Sequence, residues 1–241
     1  MNIFLSFSGE ARESYAIKFL NFFNKYGIHC WYDQHELLLG DPLDETITTN
    51  GIEKVDYCII IINKTFLTRK WPCEEAKRLY ERFEKKRDCV IFPLLLDIEK
   101  QDLKNSKVDF LLNIKYQFLV SNQSIDTIGF QILNRIFSDV LQQYTYKTIE
   151  QILPLYKRLL LSDSINIYNS LLSISNFEET NYRDRTIFLI CLIKLLNSNK
   201  FEKIIQEIGY FIYNNEPISF DIYKIAESIF LICSAMHFSI Q

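Results

Sequence analysis

The stretch "GIHCWYDQHELLLGDPL", residues 27 to 43, opens on a glycine, passes through a short aromatic and β-branched run, and breaks into a charged loop that closes on Gly40 and Asp41. The run "IHCWY" (28–32) reads as a strand, because such residues bounded by turn formers suit a pleated, half-buried backbone. Working outward, similar runs stand at 2–7 ("NIFLSF"), 56–62 ("DYCIIII"), 89–95 ("CVIFPLL") and 116–120 ("YQFLV"). These runs are nearly continuous rather than alternating, as expected of parallel strands covered on both faces. The intervening patterns predict helices at about 10–26, 42–54, 71–86 and 125–141, with a looser connection over 97–115. Residues 1–141 are therefore expected to form a small doubly wound α/β domain around a five-stranded parallel sheet.

After "QQYTYK" the alternation stops, and Gly209 is the last glycine. Helices are predicted at about 147–161, 163–175, 181–198, 200–215 and 218–236, so 142–241 is expected to be an all-helical domain. Its longest apolar runs, 186–196 and 228–238, are shorter than the roughly 20 residues a bilayer needs and read as buried helices.

Composition narrows the function classes. A formal net charge of −3 gives no general reason to expect nucleic acid or an anionic membrane as partner. The amino terminus "MNIFLSFSGEARE" has no basic region and its apolar run is broken by Ser6, Ser8 and Glu10, so it does not read as a secretory signal, and a cytoplasmic location is expected. The six cysteines are scattered and never form a C-x-x-C pair, which fits structural thiols in a reducing compartment. With only three histidines, no metal site is expected.

The positions that a phospho-receiver domain fills with acids hold Ser6, Phe7, Ser8 and Asn63. No G-x-G-x-x-G follows the first strand and no P-loop occurs anywhere, which removes the conventional dinucleotide and NTPase readings. Three other strings do line up in order: "NIFLSFSGE", "GIHCWYDQHELLLGDPL" and "KVDYCIIIINKTFLTRKWPCEE". Together they resemble a TIR domain, the Toll/interleukin-1 receptor family. The resemblance covers residues 1–141 and implies a flavodoxin-like sheet. The aromatic-Asp, Leu and Gly-Asp spacing of the second string is its most specific part.

The third string ends in two adjacent glutamates. At about 100° per residue, Cys73, Ala76, Leu79, Tyr80 and Phe83 cluster on one side of a helix beginning near Trp71. Glu75 borders that stripe, at i+4 from Trp71, whereas Glu74 faces the opposite side. Spacing alone leaves Glu75 open to a plain reading, a helix-start carboxylate favoured by the macrodipole. The resemblance implies more: in enzymatic TIR domains the glutamate at this position cleaves NAD. It also assigns Phe7 and Ser8 to the cleft, Trp71 to packing on the substrate, and Asp33, Leu37 and Gly40 to the loop over it. The plain alternatives are core aromatics at Phe7 and Trp71 and turn chemistry at Asp33 and Gly40.

The expected activity is an NAD glycohydrolase or ADP-ribose cyclase, with NAD as substrate and no cofactor. The resemblance further implies homo-oligomers formed through both domains, antiphage defence signalling, and a downstream effector that senses a nucleotide product. The helical domain would oligomerise or sense a trigger. The alternative is a non-catalytic TIR adaptor or decoy that binds other TIR domains through the Asp33–Leu43 loop.

Overall fold

A computed structural model describes residues 2–9, 11, 15–32, 52–119, 125–159, 162–174, 176–196 and 199–240. By packing, the chain divides into two compact units, Met1–Thr127 and Ile128–Gln241.

The first unit holds five strands, β1 (Asn2–Phe7), β2 (His29–Trp31), β3 (Tyr57–Ile62), β4 (Val90–Leu96) and β5 (Gln117–Leu119). They pair in parallel, as the sequence predicts, and lie in the order β2-β1-β3-β4-β5. Every residue of the central β3 is buried, which is why "YCIIII" carries no polar alternation. β1 is hydrogen-bonded on both sides, with Ser6 opposite Ile60 of β3.

The helices of this unit are α1 (Ile17–Lys25), α2 (Lys64–Thr68), α3 (Lys70–Lys85) and α4 (Lys100–Lys104), and a 3-10 turn spans Asp109–Asn113. Between α1 and β2, Gly27 takes φ 75°, a left-handed value that glycine adopts at no steric cost. The short helix α2 lies between the strand read at 56–62 and the helix read at about 71–86, where no element is predicted. Its start is fixed by Asn63, whose side chain accepts from the Phe66 amide at 2.8 Å. The helix expected over 42–54 falls almost wholly outside the described residues.

One face of the sheet packs on α3. Phe4, Cys58, Ile60 and Ile62 of the sheet share a core with Cys73, Ala76 and Leu79 of the helix, while Tyr80 and Phe83 lie partly buried against it. Burying a large apolar side chain is worth about 1.5–3 kcal/mol, so this stripe fixes how α3 is rotated on the sheet. Because side chains alternate along a strand, Phe4, Ser6 and Ser8 share the face toward α3 and Phe7 takes the other.

The helices that follow are α5 (Ile125–Leu141), α6 (Ile149–Arg158), α7 (Ser162–Ile174), α8 (Tyr182–Leu195), α9 (Glu202–Tyr213) and α10 (Phe220–Ile240). The packing division falls inside α5, whose residues from Ile128 onward belong to the second unit. Phe130 packs edge-on against Phe211, Phe137 against Phe201, and Asn134 donates to Asp221 at 2.8 Å. A buried bond of 2.9 Å from Tyr156 to Ser234 joins α6 to α10. The last helix, expected from about residue 218, starts at Phe220, where the Ser219 hydroxyl accepts from the Ile222 amide at 3.3 Å. Among the described residues no helix is long and apolar enough to cross a membrane.

Candidate active site

The carboxyl ends of β1 and β3 and the first turns of α3 meet at one edge of the sheet, the side on which open α/β sheets usually hold ligands. The apolar stripe of α3 turns Cys73, Ala76 and Leu79 inward, which leaves Glu75 half-buried at the border of the core. There the Ser6 hydroxyl, itself 2% exposed, donates to Glu75 Oε2 at 2.7 Å. Two residues along, the buried Ser8 hydroxyl donates at 2.8 Å to Asn63 Oδ1, the atom that also caps α2. The Cys73 thiol faces the carbonyls of Phe66 and Leu67, which ties the start of α3 to the end of α2.

The two glutamates have different surroundings. Glu74 pairs with Lys70 at 3.7 Å on a solvated side, an i,i+4 contact worth only about 0.3–0.5 kcal/mol. Glu75 points toward β3 closely enough to help raise the fully buried Cys58 thiol well above its ordinary range, after burial itself and Cys89. Trp71, one turn before Glu75, is 45% exposed, so it is a surface aromatic at the rim and not a core residue.

Phe7 sits on the opposite face of β1, half-buried, with its ring 6.2 Å from that of Tyr32. The structure thus brings together Ser8, Trp71 and Glu75 with Ser6 and Asn63, and it leaves Phe7 on the far side of the strand. Asp33, Leu37 and Gly40 lie outside the described residues. His29 is exposed on β2.

Ser6 and Asn63 were not assigned to the site by sequence. The signal was present, since a serine inside an apolar central strand is buried and must find a partner. A cavity of about 630 Å³ opens at the carboxyl ends of β4 and β5, lined by Lys64, Asp97, Glu99, Asp102 and Phe118 among others; none of the Glu75 cluster lines it. Among the described residues no group of three or more His, Cys, Asp or Glu side chains is placed to hold a metal ion. All six cysteines are free thiols, and only Cys191 is exposed.

A family model described as "TIR domain" matches residues 3–131, more than half of the chain. The chain belongs to the TIR domain family. It is 28% identical over 128 residues to the NAD(+) hydrolase TcpC of Escherichia coli O6:H1, a match covering 53% of this chain and 41% of that protein. It is 27% identical over 135 residues to the probable 2' cyclic ADP-D-ribose synthase TcpO of Methanobrevibacter olleyae, covering 56% and 38%. The matches therefore span less than half the length of these relatives. Among solved structures, the TIR domains of the activated Roq1 resistosome recognizing the effector XopQ align with a TM-score of 0.48 at 21% identity, covering 56% of this chain and 98% of that one.

Proposed function

We propose that this TIR domain cleaves the nicotinamide–ribose bond of NAD with Glu75 as the catalytic carboxylate. The observation that carries the reading is a half-buried carboxylate held at 2.7 Å by a strand hydroxyl, at the carboxyl rim of the sheet and one turn from an exposed tryptophan. The relatives named for NAD hydrolysis and for cyclic ADP-ribose synthesis point the same way.

One carboxylate is enough for this chemistry. Most glycosidases need a second acid because their leaving group departs as an alkoxide. The nicotinamide of NAD is already a cationic pyridinium, so it departs as a neutral molecule when its nitrogen takes the electron pair of the broken C–N bond. The enzyme's task is to place negative charge beside the oxocarbenium ion that develops on the ribose, in a site where water does not screen it. Addition of water gives ADP-ribose and a proton; attack by a hydroxyl or ring nitrogen of the same molecule gives a cyclic product. Trp71 supplies an aromatic surface for a ring or ribose, and Ser8 borders the same edge. The reading also takes Phe7, Asp33, Leu37 and Gly40 as substrate-binding residues.

In the cell the reading extends to a cytoplasmic antiphage role, in which NAD is depleted or a nucleotide product signals to an effector. The helical unit then serves as the oligomerisation or trigger-sensing module.

Chromatography of nicotinamide released from NAD by the purified chain, over a range of protein concentrations, tests the proposal. Glu75→Gln is expected to lower the rate at least about 100-fold, and Glu74→Gln to leave it within about twofold. Undiminished release by Glu75→Gln removes the assignment. A wild-type chain that binds other TIR domains but never releases nicotinamide supports the adaptor alternative.

A further inference from the structure

We propose that Ser6 is the positioning residue for Glu75: its hydroxyl holds the carboxylate ionised and in one rotamer at the edge of the sheet. This deepens the NAD-cleaving reading and rests on it for the kinetics, although the effect on the carboxylate itself is measurable without any activity.

The argument starts from cost. Ser6 is 2% exposed in a strand whose neighbour β3 is wholly isoleucine, cysteine and tyrosine, and an apolar residue would pack there without penalty. A buried hydroxyl is tolerated when a partner answers it, and the partner is Glu75 at 2.7 Å, within the short range of charge-assisted O–H···O bonds. Ser6 also sits on a strand bonded to neighbours on both sides, the stiffest kind of anchor in the fold. A glutamate near a helix start has three rotatable bonds, and a fixed donor at its tip removes most of that freedom. Phe4 below and the Ser8–Asn63 bond above make Ser6 the point on this face where dry core gives way to polar rim.

Titratable groups stand on the same described elements. From β3 the facing titratable group is Cys58, whose thiol burial holds neutral. Phe4 and Ser6 of β1, and Ser8 just beyond it, carry no ionisable group. On α3 itself, Arg78 stands three residues on, while Glu74 is turned toward Lys70.

A hydrogen bond donated to the ionised form lowers a carboxyl pKa, so removing it must raise the titration midpoint. The test is a carboxyl ¹³C NMR titration of the full chain with labelled glutamate, the Glu75 signal being assigned by its loss in Glu75→Gln. Ser6→Ala is expected to raise the Glu75 midpoint by about one pH unit, and Ser6→Thr to keep it within a few tenths of wild type. In the nicotinamide assay Ser6→Ala should lower kcat about 10- to 100-fold with KM changed less than about threefold, and should move the acidic limb of the rate profile upward; Ser6→Thr should recover most of the rate. If Ser6→Ala does not melt cooperatively, Ser6→Cys keeps the volume with a weak donor and carries the same expectation. An unchanged Glu75 midpoint overturns the proposal whatever the activity. A shifted midpoint in a chain that never cleaves NAD upholds the positioning role and counts against the NAD reading instead.

Discussion

At the scale of single residues, the first and last members of the "WPCEE" string show how one turn of helix separates an exposed side chain from a half-buried one. Trp71 is 45% exposed and Glu75 half-buried, so truncating the first should cost little stability while changing substrate contact. Trp71→Ala is expected to shift the urea midpoint by no more than about 0.5 kcal/mol equivalent, yet to raise KM for NAD about tenfold or more; steady-state kinetics beside an unfolding curve would check both. That Glu75 borders the core while Glu74 faces solvent was legible from spacing, because the apolar stripe of α3 fixes its rotation; a role in chemistry was implied only by the family resemblance. The partner of Glu75 was not legible. Ser6 lies 69 residues away in sequence, and only the sheet's pairing brings the two together.

At the scale of elements, Asn63 is the joint between β3, α2 and β1. Its side-chain oxygen accepts from both the Phe66 amide and the Ser8 hydroxyl. Asn63→Ala removes a helix cap and leaves a buried hydroxyl without its acceptor, and the expected loss is about 1–3 kcal/mol in chemical denaturation. Asn63→Asp keeps the acceptor and should retain most of the stability. The strands were legible because runs such as "CIIII" have no other stable burial. The five-residue helix α2 was not, since it is too short to show a period of 3.6 and is specified by one capping side chain. The partner of Ser6 was likewise hidden, because strand parity shows which face a residue takes but not which helix covers it.

At the scale of the whole molecule, the change of pattern near residue 141 located the helical half, while the packing division falls earlier, between Thr127 and Ile128. Periodicity shows that α5 has an apolar face; which neighbours that face meets is decided by the ring contacts of Phe130 and Phe137. Both units carry buried groups that the fold keeps neutral. Burial pushes Cys30 from 9.0 to about 12 and Cys89 from 9.0 to about 11 in the first unit, and Tyr156 from 10.0 to about 12 in the second. Each folded value lies above its unfolded one, so the stabilisation is complete below about pH 9 and is lost as pH rises toward about 12, where the unfolded chain ionises first. Urea midpoints measured at pH 8, 10 and 11 should fall in that order. The distribution of sulfur has a practical side as well. Five of the six thiols are sealed inside the packed units and Cys191 alone is open to solvent, on α8. The native chain thus arrives with a single attachment point for a dye or spin label on its helical half, and self-association can be followed in real time without engineering a reporter.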